Sequence, residues 1–153
     1  MDRIAEFMKI SKSTKNEAFY DDIILPKRAT SGSAGYDFFI PYDLTINPNE
    51  SVKIETIVRF KIDKEYVLMI FPRSSLGFKY KLQLDNTVGV VDSDYFNADN
   101  EGHIIVALTN WSDKKLELKK NDRFAQGVFL KFGITIDDDV NSIRTGGYGS
   151  TGK

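Results

Sequence analysis

Apolar and polar residues alternate with a period of two along much of this chain, and turn residues cut the alternation into short pieces. After a turn at residues 47–50, Val52, Ile54, Thr56, Val58 and Phe60 alternate with Lys53, Glu55, Ile57, Arg59 and Lys61, which predicts one long half-buried strand. Residues 66–71 (YVLMIF) are continuously apolar and read as a strand buried on both faces, stopped by Pro72. YDFFI (36–40), VGVV (88–91), HIIVAL (103–108), a strand around Leu116 and Leu118, and RFAQGVFL (123–130) read as further strands. Residues 1–16 hold either a helical turn or a first strand, FMKIS. About ten short strands and no convincing long amphipathic helix predict an all-β sandwich or barrel, without repeats and without a second domain.

Candidate chemistry gathers where strands end. The stretch NTVGVVDSDY (86–95) is the one around which the rest is arranged. Branched residues favour an extended backbone, and Gly89 lets another group approach the main chain closely. Asp92 follows directly, where a strand hands a carboxylate to a ligand, and Tyr95 presents a flat ring nearby. Backbone amides, one carboxylate and one ring suit a flat polar ligand with a reactive group beside it; the alternative is a buried strand ending in a polar turn. Arg73, Ser74 and Ser75, just past the 66–71 strand, form a donor set for phosphate oxygens, or else a turn leading into a serine-capped helix. Asp37 within YDFFI needs a partner if buried, or faces water on an edge strand. Gln126, in mid-strand, must find partners for its amide, and the acidic run 137–139 reads as a solvated loop.

Composition narrows the classes. The 153 residues suffice for one domain with a real core, and a net charge of -1 gives no basic surplus for nucleic acid. There is no cysteine for disulfides or thiolate metal sites, and a lone histidine, His103, excludes a multi-histidine site. No apolar run approaches the ~20 residues of a membrane span and no signal pattern opens the chain, so a soluble, cytoplasmic protein is expected, with no membrane partner.

The glycine-rich end RTGGYGSTGK (144–153) contains a glycine followed, after four residues, by Gly-Lys, the spacing of a phosphate loop. That mechanism needs a helix after the lysine, where this sequence stops, so a P-loop NTPase is not expected. The chemistry still suits phosphate: glycines free the amides, Ser150 and Thr151 add hydroxyls, and Arg144 adds a bidentate cation. Residues 141–153 are expected to form a flexible arm that orders over a charged ligand.

Taken in order, SAGYD (33–37), PRSSLG (72–77), GVVDSDY (89–95), RFAQGVF (123–129) and RTGGYGSTG (144–152) resemble the five motifs of the trimeric dUTP pyrophosphatases, the dUTPases. The resemblance spans roughly residues 25 to 152. It implies a jelly-roll-like β-barrel over residues 1–153, assembled as a homotrimer whose C-terminal arm is exchanged between subunits. The implied reaction hydrolyses dUTP to dUMP and pyrophosphate, keeping uracil out of DNA and supplying dUMP for thymidylate synthesis.

Carried over residue by residue, Asp92 holds and activates the attacking water, and Arg73 contacts phosphate and supports the Asp92 site. Ser74, Ser75 and Gln126 also contact the phosphates, and Arg144 meets the γ-phosphate. Gly149, Ser150 and Thr151 wrap the triphosphate, while Asn86, Gly89, Val90 and Val91 read the uracil edge. Tyr95 lies under the deoxyribose, Tyr148 stacks over the base, and Asp37 supports the metal's water shell or the motif contacts. Mg2+ is held by the triphosphate, with no direct protein ligand implied. Two departures stand out: Ser75 replaces the family's common glycine, and residues 96–102 make a longer loop than the usual short step from tyrosine to glycine. The related dCTP deaminases share the fold and an Arg-Ser-Ser segment but need a glutamate base beside C4. A nucleotide-binding regulator on the same fold is the reading from another class.

Overall fold

The alternation becomes strands. In the computed structural model, which describes residues 1–144, 146 and 147, these are β1 (Ala5–Lys9), β2 (Lys27–Arg28), β3 (Tyr36–Phe39), β4 (Leu44–Ile46), β5 (Ser51–Glu55) and β6 (Val58–Ile62). After them come β7 (Tyr66–Pro72), a short helix α1 (Ser74–Tyr80), β8 (Leu82–Leu84), β9 (Gly89–Val91), β10 (Ile105–Asn110), β11 (Leu116–Leu118) and β12 (Arg123–Lys131). The largest sheet runs β2-β3-β12-β7-β9, a second runs β5-β10-β8, and β1-β6 and β11-β4 form two further pairs. Every pairing between these strands is antiparallel.

The inward positions of these sheets meet in one apolar core that includes Phe38, Ile54, Phe60, Leu68, Ile70 and Phe124. Each such side chain contributes about 1.5–3 kcal/mol on burial, which is what holds these short strands in place. The N-terminal segment resolves as a strand: β1 lies along β6, and Phe7 packs its ring against Tyr36, Phe38, Phe60 and Phe129.

The structure corrects four expectations. The long strand through residues 52–60 is two strands, broken at Thr56–Ile57. Ile57 has φ 64°, a left-handed backbone that costs a β-branched residue of order 1–3 kcal/mol. Three bonds hold the bend. Ile57 N–H donates to His103 Nε2 (3.0 Å), Thr56 Oγ1 donates to the Ile104 carbonyl (2.7 Å), and Val58 N–H donates back to Thr56 Oγ1 (3.1 Å). The bend lets the chain leave the β10 sheet and join β1; Thr56, Ile57 and Val58 are all buried there, and the apolar Ile57 in the polar phase of the alternation was its one mark in the sequence. Second, β7 is buried on one face only: Leu68 and Ile70 are buried, while Val67, Met69 and Phe71 are partly exposed because the described residues form no layer over that side. Third, the strand expected over residues 103–108 starts at Ile105, since His103 and Ile104 cross behind the Thr56–Ile57 bend. Fourth, residues 74–80 are helical, but among the described residues no side chain caps the helix.

Candidate functional site

Strand β7 is the axis of the site. On one side β9 pairs with it through Leu68↔Val91 and Ile70↔Gly89; on the other, β12 pairs through Gln126↔Phe71 and Ala125↔Pro72. Asp92 therefore emerges near the start of β7, opposite Val67, whereas Arg73 leaves its far end. At ~3.3 Å per residue that separation is roughly 20 Å. Within one chain the predicted site residues fall into two groups, and the expected support of the Asp92 site by Arg73 does not occur inside a single chain.

The first group surrounds a cavity of about 580 Å³. Asn86, Gly89, Val90, Val91, Asp92 and Tyr95 line one wall, with Ile105 and Ala107 of β10 among the residues opposite. The tight turn before β9 places Thr87 at φ 70°. At Gly89 a Cβ would come within 3.0 Å of Ile70 Cβ, so the two strands approach here more closely than a side chain ordinarily allows. Beyond β9 the chain turns into a 3₁₀ helix, Ser93–Asn97, with Asp92 at its N-cap. Three residues make one 3₁₀ turn, so Asp92 and Tyr95 stand on one side of it. Tyr95 is only 5% exposed; its hydroxyl donates to the His103 carbonyl (2.7 Å) and accepts from Asn100 Nδ2 (2.8 Å).

Arg144 also lines this cavity. Its Nη2 lies 3.0 Å from Asp92 Oδ2 and its Nε 2.8 Å from Asp94 Oδ1, and its guanidinium carbon stands 5.9 Å from the centre of the Tyr95 ring. The residue expected on a γ-phosphate is thus placed on two carboxylates of its own chain, whose oxygens offer a guanidinium the same acceptor chemistry as phosphate oxygens. Tyr148, Gly149, Ser150 and Thr151 lie outside the described residues.

The second group is built around Asp37. Register sets Asp37 on β3 opposite Gln126 on β12. Arg73 Nε and Arg123 Nη1 reach the Asp37 carboxylate at 3.2 and 3.3 Å, so the carboxylate inside an apolar strand does have partners and does not face open water. Gln126 Nε2 donates to the Pro72 carbonyl (3.2 Å), and its Oε1 packs against Gly35, where a Cβ would come within 2.7 Å of it. Arg73, Ser75, Lys79 and Arg123 border a second hollow of about 310 Å³, and Ser74 is exposed at the start of α1. Glu117 and Asp122 line the hollow too, but three cations outnumber them and, with the Ser75 hydroxyl, suit phosphate oxygens.

His103 belongs to neither wall. Burial holds its imidazole below the ordinary range, which keeps Nε2 unprotonated and able to accept the Ile57 amide. Sequence reasoning missed Arg123, Asp94 and Asn100. Arg123 opens the RFAQ strand and Asp94 follows Asp92 by two residues, so both carried a weak signal; Asn100 meets Tyr95 only through the loop's tertiary path. Among the described residues no three acidic or imidazole side chains converge on a point, and no helix is long and apolar enough to cross a membrane.

A family model described as dUTPase matches residues 21–152. The chain is 41% identical over 134 residues to a deoxyuridine 5'-triphosphate nucleotidohydrolase of Lactococcus lactis, covering 85% of this chain and 89% of that one. Its structure is similar to the dUTPase of Streptococcus mutans, with TM-score 0.72 and 37% identity over 86% of this chain and 98% of the other. The fold also matches a mutant dUTPase from phage phi11 of S. aureus (TM-score 0.69, 18% identity, 94% and 100% covered), which coordinates a structural Mg(II) ion.

Proposed function

The chain belongs to the dUTPase family, and from that premise we propose that it hydrolyses dUTP to dUMP and pyrophosphate. The observation that carries this reading is the edge strand β9 running directly into Asp92 and, one 3₁₀ turn later, Tyr95, all on one cavity. Asp92 takes a proton from a water whose oxygen bonds to the α-phosphorus. The bond from that phosphorus to its bridging oxygen breaks, and pyrophosphate leaves.

Selectivity follows from the strand. Among the described residues β9 pairs only with β7, so the backbone groups along its outer side can face a pyrimidine, with the Asn86 amide beside them. Cytosine presents a donor where uracil presents an acceptor, which leaves buried groups unpaired. The close Gly89–Ile70 packing leaves no slack for thymine's methyl. Tyr95 stands under the sugar, where a 2′-hydroxyl meets the ring, and Tyr148 stacks on the base.

The separation along β7 supports a shared active site in a homotrimer. One subunit supplies the hairpin cavity; another supplies Arg73, Ser74, Ser75 and Gln126 for the phosphates, with Asp37 holding Arg73 in place. Arg144 exchanges its carboxylates for the γ-phosphate, and Gly149, Ser150 and Thr151 of the exchanged arm wrap the chain of phosphates. Mg2+ suits this chemistry: phosphate oxygens and the nearby Asp92 and Asp94 carboxylates are hard donors, and the ion accepts such partners through its water shell. When bound to the triphosphate it neutralises charge on the leaving group. The setting is the cytoplasm.

Pyrophosphate release compared across dUTP, dCTP, dTTP and UTP in the presence of Mg2+ tests the proposal. Release from dUTP alone is expected; ammonia from dCTP, or equal release from all four, contradicts it.

A further inference from the structure

The loop after Tyr95 is fixed from several sides. Arg59 stacks its guanidinium 3.7 Å above the Phe96 ring and donates through Nη2 to the Phe96 carbonyl (2.7 Å). Glu101 Oε1 accepts from the Ser11 hydroxyl (2.6 Å) and the Ser11 amide (3.2 Å), tying the loop to the segment after β1. Gly102 turns at φ 70°, and a Cβ there would come within 2.6 Å of the Tyr95 carbonyl. Against this frame Asn100 makes two bonds. Its Oδ1 accepts from Gly102 N–H (3.2 Å), and its Nδ2 donates to Tyr95 Oη (2.8 Å).

The direction of these bonds is fixed by chemistry. A backbone N–H only donates, so the amide oxygen of Asn100 faces Gly102 and its nitrogen faces the tyrosine. The His103 carbonyl only accepts, so the Tyr95 hydroxyl spends its proton there and has a lone pair left for Asn100. The relay Asn100 N–H to Tyr95 O–H to His103 carbonyl holds the ring from two sides, and each bond polarises the next. A tyrosine hydroxyl held by the His103 carbonyl alone could pivot about that point. Asn100 also lies against the terminal segment: a Cβ on Gly147 would stand 3.6 Å from Asn100 Nδ2.

We infer that Asn100 is a specificity-determining positioning residue: by donating to the Tyr95 hydroxyl it sets the ring against which the sugar is checked, and so sets the preference for deoxyribo- over ribonucleotide. The inference deepens the dUTP reading and rests on it.

The test measures kcat/KM for dUTP and for UTP in the full-length protein and in Asn100→Asp and Asn100→Ala, each also combined with Tyr95→Phe. Asn100→Asp keeps the acceptor for Gly102 N–H and removes the donor to Tyr95, so it separates ring positioning from loop folding and stands if the alanine variant does not fold. Both substrates carry the same triphosphate, so the dUTP/UTP ratio cancels any effect of the added charge. That ratio is expected to fall about tenfold in either single variant, the scale of one buried hydrogen bond, and to fall no further when Asn100 is changed in the Tyr95→Phe background. A ratio unchanged within about twofold, or an equal fall without the tyrosine hydroxyl, overturns the role of Asn100. A wild-type protein that leaves dUTP intact overturns the functional reading beneath it, and this inference with it.

Discussion

The two ends of β7 are built on opposite principles. At the β9 end a carboxylate and a ring stand on an apolar cavity, positioned mainly by backbone: a glycine close approach, a tight turn and a 3₁₀ cap. At the α1 end two guanidinium groups crowd one carboxylate at the rim of a shallow hollow, positioned by side-chain pairs. The first suits recognition of a flat base and activation of water; the second suits phosphate. A single chain keeps them roughly 20 Å apart, and that contrast is what supports the proposal of a site completed between chains.

The largest effect comes from breaking each half separately. Asp92→Asn is expected to lower turnover by about 10³-fold while dUTP binding largely survives, and Arg73→Ala to lower it comparably by removing a bidentate phosphate partner. If the halves combine across subunits, trimers reassembled from the two inactive variants regain turnover well above either parent. Mixed trimers as inactive as the parents break the comparison outright.

A smaller effect sharpens the part played by the terminal segment. Deleting residues 144–153 is expected to reduce kcat by about 10²-fold, the scale of losing a preorganised charge at the phosphates. The melting temperature should move by no more than about 2 °C, because Ile134, Ile136, Val140 and Ile143, which lead into the deleted stretch, are exposed and add little to the core. Undiminished kcat in the shortened protein removes Arg144 from the account.

The smallest effect separates the halves by pH. His103 is neutral in the fold, its imidazole lowered from the ordinary 6.5 by burial, with Glu55 and Glu101 pulling weakly the other way. The unfolded chain therefore takes up a proton that the fold refuses. Stability is full above about pH 6.5 and declines as the pH falls through the lowered folded value. Protonated Nε2 cannot accept the Ile57 amide, and the Tyr95 hydroxyl hangs on the carbonyl of the same residue, so protonation of His103 loosens the hairpin half. His103→Gln is expected to cost about 1–2 kcal/mol near neutrality and to flatten the decline between about pH 7.5 and 5.5 in thermal melts. A variant that melts with the same pH dependence as the parent assigns the decline to other groups.

Much of this arrangement was legible in the residues. Asp92 at the end of VGVV, Tyr95 after it and the close approach at Gly89 follow from strand chemistry and stand where expected. Asp37 announced that it needed a partner; that both partners are arginines from other elements is information carried by register, not by local sequence. The bend at Thr56–Ile57 left one mark, the apolar Ile57 in the polar phase of the alternation, but its left-handed backbone is held by a histidine 46 residues away, which a local pattern does not report. The uncovered face of β7 was misread for a related reason: an apolar run does not say which of its faces the chain itself will cover.

The large sheet ends in two very different margins. On one side β2 offers only Lys27 and Arg28, a ladder too short and too cationic to template a foreign strand, which guards against edge-to-edge aggregation. On the other, β9 is one residue longer and neutral, with Val90 exposed, and so remains chemically open. If that row of peptide groups reads a nucleobase, as proposed, keeping it available exposes the protein to sheet growth there, and β2 confines the risk to one border of the large sheet.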